Sequence, residues 1–104
     1  MAGLSAADVR ASRALASACA HGHLTLAEWL VKTFSLSIDD VRADGNFALN
    51  SASYEGELAV VVWLVETVGL TADDATEAKA VSIARARGYG AVADWLTKQL
   101  GVTA

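Results

Sequence analysis

The chain has 104 residues, of which 54% are hydrophobic and 19% are charged, a balance that predicts one globular domain and excludes a disordered acidic chain. Eight basic residues stand against twelve acidic ones, and the net charge of −4 is opposite in sign to a surface that binds nucleic acid. The longest apolar run, from Leu58 to Val65, is much shorter than the roughly 18 residues of a membrane span. We therefore expect neither nucleic acid nor a membrane as a partner.

The amino-terminal segment carries no recognisable targeting signal. Residues 1–10 lack a basic stretch followed by an apolar one, which argues against secretion, and Gly3 is misplaced for N-myristoylation. The single cysteine, Cys19, cannot form an internal disulfide, which fits a reducing compartment. We expect a cytoplasmic location.

One pattern occurs three times along the chain: a helix of small residues, a glycine, and a second helix that contains Trp-Leu. Trp29, Trp63 and Trp95 are spaced by 34 and 32 residues. Such a period is typical of stacked repeat arrays, in which each unit buries its apolar face only against its neighbours. We predict a single all-α domain over residues 1–104, a solenoid of three helix-turn-helix repeats. The predicted repeats span approximately 12–43, 44–77 and 78–101.

A short polar connector precedes each helix pair. It reads Leu-Ser/Thr-x-x-Asp at residues 4–8, 36–40 and 70–74. A hydroxyl residue followed three positions later by an acidic one resembles a capping box, here with Asp in place of Glu or Gln. These connectors are therefore predicted to be short helical turns rather than strands. The middle connector, from Asp40 to Ala48, is two residues longer than the others, which explains the unequal spacing.

The first helix of each pair, the inner helix, is rich in alanine, which favours helix and lets neighbouring helices approach closely. Ser12 is the predicted N-cap of the first inner helix, and Asp44 or Asn46 that of the second. Each inner helix is predicted to end at a glycine in the left-handed conformation. These glycines are Gly22, Gly56 and Gly88.

The second helix of each pair, the outer helix, carries an apolar face, formed in the first copy by Leu24, Ala27, Leu30 and Val31. The tryptophans hold one equivalent position in the three outer helices. We predict that they pack between stacked repeats, since each can bury about 150–250 Å² of surface. The alternative is that the tryptophans form an exposed aromatic strip that binds a ligand.

These residues resemble the ankyrin repeat, whose pattern is x-T-P-L-H-x-A-A-x-x-G-H-L-x-h-V-x-x-L-L with h apolar. The first copy matches at Leu15, Ala18, Gly22, His23, Leu24, Leu26, Leu30 and Val31. The second copy matches at Leu49, Ala52, Gly56, Leu58, Val60, Val61, Leu64 and Val65. The third copy is weaker and keeps Ala80, Ala84, Gly88, Val92 and Leu96. The resemblance extends from about Ser12 to Leu100.

Two parts of the ankyrin pattern are absent. Thr-Pro is missing at the start of every inner helix, and the Gly-Ala-Asp-Val-Asn stretch of the β-hairpin is replaced by the Leu-Ser/Thr-x-x-Asp connector. The chain is thus similar to a Trp-Leu-Val variant of the ankyrin repeat. This resemblance implies short helical connectors in place of projecting hairpins.

The resemblance implies binding through a concave face, formed by exposed inner-helix positions and the connecting turns. The variable inner-helix positions are Ser17, Ala20, His21, Ser51, Tyr54, Glu55, Ala86 and Arg87. Tyr54, flanked by His21, Glu55 and Arg87, is the predicted hot spot, because Tyr and Arg are enriched at such sites. A polar rim is predicted on the middle connector, at Asp40, Arg42 and Asp44. Solvated surface without a function is the alternative for each of them.

Neither a metal site nor a catalytic site is expected. Cys19, His21 and His23 alternate in sequence, and alternate residues of a helix point about 200° apart, so they cannot face one ion. No nucleophile–base–acid set and no glycine-rich phosphate loop occurs. The adjacent carboxylates at Asp39 and Asp40 fit helix capping. We therefore expect no cofactor and no enzyme activity.

The favoured function is a non-catalytic protein–protein interaction module of the scaffold or adaptor kind. The alternative is structural: a segment of a longer repeat array, or a chain that self-associates through its open ends. Stacked arrays need polar caps, and the first inner helix, with Ala14, Leu15 and Ala18, is preceded by only a small polar segment. A small-molecule site between helix pairs ranks third.

Overall fold

The computed structural model describes residues 6–102, with side chains from Ala11 to Val102. All regular structure in this range is helical, and no strand occurs in it. The helices are α1 (Ala6–Ala20), α2 (Leu24–Thr33), α3 (Ile38–Val41), α4 (Ala43–Tyr54), α5 (Leu58–Trp63), α6 (Ala72–Ala78), α7 (Ala80–Ala86) and α8 (Gly90–Leu100). A π-helical turn (Leu64–Val68) extends α5. The predicted all-α class is confirmed, as are the short helical connectors, which are α3 and α6.

The helices form two layers. Three pairs, α1 with α2, α4 with α5 and α7 with α8, stack in chain order, and α4 packs between α1 and α7 in the inner layer. The array measures 41 × 24 × 20 Å. Each inner and each outer helix contributes a buried aliphatic residue at an equivalent position. These residues are Leu15, Leu49 and Val81 in the inner layer and Leu30, Leu64 and Leu96 in the outer layer.

The glycine at the end of each inner helix has the predicted left-handed conformation, with φ of 71° at Gly56. The following residue closes the helix end, because the backbone N–H of Glu57 donates to the carbonyl of Ala52 over 2.9 Å. Gly56 also allows a close approach, since a methyl group at this position would overlap the ring of Tyr89 from the next repeat. Gly56 thus ends one helix and leaves room for the Tyr89 ring of the following repeat.

The predicted N-cap at Ser12 is wrong, because α1 runs without interruption from Ala6 to Ala20. Asp8 lies inside this helix, whereas Leu4 and Ser5 of the predicted first turn lie outside the described residues. The physical reason is that Asp8 to Ala14 contains only residues that tolerate a helix, with neither glycine nor proline to break it.

The predicted N-cap at Asp44 or Asn46 is also wrong, because the Asn46 side chain donates to Asp74 and Glu77 while its Oδ1 accepts no hydrogen bond. Asp44, Gly45 and Asn46 are three consecutive left-handed residues, which place a kink before the regular part of α4. The corresponding connector of the third repeat has one left-handed residue, Lys79. The middle connector therefore uses its two additional residues to make this longer left-handed turn.

Both described connectors that contain the Ser/Thr-x-x-Asp pattern form the predicted capping boxes. In α3 the Asp40 backbone N–H donates to the Ser37 hydroxyl, and the Ser37 N–H donates to the Asp40 carboxylate over 2.8 Å. Thr71 and Asp74 make the equivalent pair at the start of α6. The acidic pairs at these positions therefore serve to start helices, as the sequence predicts.

Asp74 also joins the second connector to the third. Its side chain is 8% exposed and accepts hydrogen bonds from Arg42 Nε over 2.8 Å and from Asn46 Nδ2 over 3.0 Å. Burial raises the pKa of the Asp74 carboxyl group, but the hydrogen bonds from Arg42, Thr71 and Asn46 outweigh it and lower the pKa from 3.8 to about 2. The ionised carboxylate is therefore the form that holds the two connectors together.

The three tryptophans differ in their surroundings, although they hold equivalent positions. Trp63 is 7% exposed and Trp95 is half-buried, so the predicted packing between repeats holds for them. It is wrong for Trp29, which is 54% exposed and makes an edge contact with Phe34. Trp63 faces the preceding helix pair, whereas no helix pair of the described range lies against the same side of α2.

We expect Gly56→Ala to destabilise the fold more than Gly88→Ala does. Both glycines are left-handed, and alanine there costs about 1–2 kcal/mol of unfolding free energy. A methyl group at Gly88 meets nothing within 4 Å, but at Gly56 it forces the Tyr89 ring to move, which adds about 1–3 kcal/mol. Urea unfolding of both variants measures the difference. Equal losses of unfolding free energy in the two variants would show that the close approach of Tyr89 to Gly56 does not contribute to stability.

We expect the Asp74 contribution to stability to disappear in acid. The folded-state pKa lies below the ordinary value, so the contribution is fully present above about pH 4 and is lost as the pH falls through about 2. The lowering corresponds to about 2 kcal/mol of unfolding free energy. Denaturant unfolding of the wild type and of Asp74→Asn between pH 7 and 2 should converge in acid. The exposed neighbour Asp73 is the matched control, because Asp73→Asn should keep the wild-type pH dependence.

Candidate protein-binding site

One open groove on the inner layer contains three of the predicted partner-binding residues. Its lining consists of Ala20 from the end of α1 and of Phe47, Asn50, Ser51, Tyr54 and Glu55 from α4 and its end. The groove is positioned by the contact between α1 and α4. Its surface is mixed, with aromatic, amide, hydroxyl and carboxylate groups.

Two large side chains on α4 dominate this surface. Phe47 is 51% exposed and Tyr54 is 44% exposed. They are seven residues apart, so they lie on the same side of the helix, with Asn50 between them. We call Phe47, Asn50 and Tyr54 the inner-face stripe. The sequence predictions did not include Phe47 and Asn50 as site residues, although their helical spacings of seven and four residues from Tyr54 could have indicated them.

Arg87 holds Tyr54 in place from the neighbouring repeat. Its guanidinium carbon lies 4.2 Å from the centroid of the Tyr54 ring, and its Nε donates to the Tyr54 carbonyl over 3.3 Å. A cation over an aromatic face is an attractive arrangement. The structure thus brings together two predicted site residues that are 33 positions apart in sequence.

The other predicted inner-face residues differ in how far they are exposed to solvent. His21 and Ser17 are exposed, and the His21 ring nitrogen Nδ1 lies 2.8 Å from the Ser17 carbonyl oxygen. Ser51 differs from the expected exposure, because only 8% of its surface is accessible. Ser51 lies on the side of α4 that turns toward α1, whereas the equivalent Ser17 has no described helix against that side.

The predicted polar rim is built from residues that also stabilise the connectors. Asp40 closes the capping box with Ser37, and Arg42 pairs with Asp74. Asp44 is exposed at the left-handed turn. Asp40 and Asp44 line a second hollow, between α1 and α4, which Phe47 shares with the first groove. Phe47 therefore connects the rim to the Tyr54 end of the inner layer.

The Cys19 and histidine cluster is not arranged as a metal site. Cys19 is completely buried, and burial raises the pKa of its thiol to about 12, so the thiol stays protonated. His21 and His23 lie beyond the end of α1, with their rings stacked 5.9 Å apart. In the described part of the chain, no group of three or more His, Cys, Asp and Glu side chains could hold a metal ion.

None of the helices between residues 6 and 102 has the length and apolar character that a bilayer crossing requires. Residues 15–65, about half of the chain, match the family profile described as ankyrin repeats (many copies). The match covers most of the first two helix pairs and ends before the third copy. Comparisons with curated proteins and with solved structures gave no significant match. With its stacked helix pairs and their recurring glycine turn, the chain belongs to the ankyrin repeat family.

Proposed function

We propose that this chain is a non-catalytic module that binds a protein partner through the concave inner face centred on the inner-face stripe. Ankyrin repeats generally mediate protein–protein interaction. The observation that supports this particular surface is the joint exposure of Phe47 and Tyr54, 51% and 44%, on one side of the central helix. The module would need no cofactor for binding and would serve as a scaffold or adaptor in the cytoplasm.

The chemistry of the stripe suits a protein interface. Aromatic side chains bury a large area at a small entropic cost, and Tyr and Arg are enriched among residues that dominate binding energy. Arg87 orders the Tyr54 ring before any partner arrives, which lowers the entropy lost on binding. Phe47 lies about 10 Å along the helix from Tyr54, so one partner segment could contact both.

The polar residues around the stripe would provide specificity. Glu55 borders the same groove as Tyr54, and Asp44 lies beside Phe47. His21 and Ser17 extend the exposed surface along α1. A partner that covers the stripe with apolar side chains would place its polar groups against this border, as in interfaces with an apolar centre and a polar rim.

Affinity capture from the native host, followed by titration of each purified partner, tests this proposal. We expect the double variant Phe47→Ser with Tyr54→Ala to weaken binding at least about tenfold, because two hot-spot side chains are removed. Arg87→Glu should weaken it as well. The matched control is Trp29→Ser, which removes an aromatic side chain of similar exposure from the outer layer and should leave the affinity unchanged. A partner that binds the double variant as tightly as the wild type would contradict the proposal.

A further inference from the structure

The first helix pair exposes residues whose equivalents are buried in the other two pairs. Leu26 is 45% exposed, whereas Val60 and Val92 at the same repeat position are each 1% exposed. Val60 lies three residues before Trp63, on the side of α5 that faces the preceding helix pair. The repeat geometry therefore assigns this side of each outer helix to contact with a neighbouring pair.

The same difference occurs at other positions on this side. Ala14 is exposed on α1, whereas its equivalents Ala48 and Ala80 are 4% and 0% exposed. Trp29 and Ser17 are exposed too. We call Ala14, Ser17, Leu26 and Trp29 the leading edge. The leading edge is thus a repeat–repeat interface with no helix pair of the described range against it.

The opposite end of the array, the trailing edge, has lost its apolar interface residues. Arg85 is exposed where the equivalent residues Cys19 and Ser53 are completely buried. Thr97 replaces the valines that α2 and α5 carry at Val31 and Val65. Gly90 likewise replaces a leucine of the earlier outer helices. The Thr97 hydroxyl is buried, so it is the exposed Arg85 that gives this end of the array a polar character, which the leading edge lacks.

We propose that the leading edge is a self-association surface, which binds the leading edge of a second copy of this chain in a two-fold dimer. A two-fold interface places one patch against itself, so the patch must be self-complementary. All four leading-edge residues are uncharged, so the face-to-face contact creates no repulsion between like charges. Contact between the leading edge of one copy and the trailing edge of another would instead place Trp29 beside Asp94, Thr97 and Lys98, the equivalents of the Glu28, Val31 and Lys32 that Trp63 meets.

The size of the surface predicts a reversible dimer. Two adjacent helices present a face about 20 Å wide, and α2 is about 15 Å long, so roughly 300 Å² of each copy is covered in projection. Stable complexes commonly bury about 800 Å² of accessible surface on each partner. The dimer is therefore expected to dissociate on dilution. Because the contact is apolar, added salt should not weaken it.

Light scattering and sedimentation of the purified full chain over a concentration series test the dimer. The mass should rise from 10.8 kDa toward twice that value and no further. Trp29→Lys should raise the dissociation constant at least about tenfold. The control is Phe47→Lys, a substitution of similar exposure on the inner layer, which should leave the dissociation constant unchanged. Helical circular dichroism should be the same in all three proteins, since both residues are exposed.

Four results would overturn the proposal. They are a wild-type chain that stays monomeric at the highest concentration, growth beyond the dimer, a dimer that persists in Trp29→Lys, and equal weakening by Phe47→Lys. Growth beyond the dimer would indicate leading-to-trailing stacking. A strict monomer would indicate that the leading edge is only solvated surface. Phe47 and Tyr54 lie outside the leading edge, so capture of a protein partner through the inner-face stripe is tested separately, by the variants of those two residues. Ser17 alone belongs to both surfaces.

Discussion

Burial of one side of each helix pair against the preceding pair is the constraint on which the rest of this structure depends. The inner helices approach closely because their facing positions are small, as at Ala48 and Ala80. The glycine turns leave room for a side chain of the next repeat, as Gly56 does for Tyr89. Asp74 adds a polar connection between successive connectors through its hydrogen bonds with Arg42. The core is thus made both within helix pairs and between successive pairs.

This constraint distinguishes the two layers in packing and in the side chains that they leave exposed. The inner helices make most of the contact between successive repeats, whereas the outer layer carries the repeated Trp-Leu pattern, with Trp29 exposed at its first position. The inner layer carries the residues in which the copies differ, and there the exposed aromatic pair of Phe47 and Tyr54 lies on the central helix. The surface proposed to bind a partner thus lies on the inner layer, at positions where the copies differ.

Equivalent sequence positions need not have equivalent surroundings, and this explains where sequence reasoning failed. Trp29, Trp63 and Trp95 are identical in type, but their burial depends on whether a helix pair lies against them. Ser51 is buried for a related reason, since the end of α1 lies beside this part of α4. The partners of Arg42 and Asn46 lie 32 and 28 residues further along the chain, a separation that no local pattern reveals.

The sequence by itself determined the features that arise within a few residues. The helices, the glycine that ends each inner helix and the Ser/Thr-x-x-Asp capping boxes follow from propensity and from hydrogen bonds over three to five positions. Only the tertiary structure decided which tryptophan is exposed, which side of α4 is open, and that Asp74 joins two connectors. The physical reason is that burial and long-range hydrogen bonds depend on the neighbouring repeat, and the repeated pattern is the same whether or not a neighbour is present.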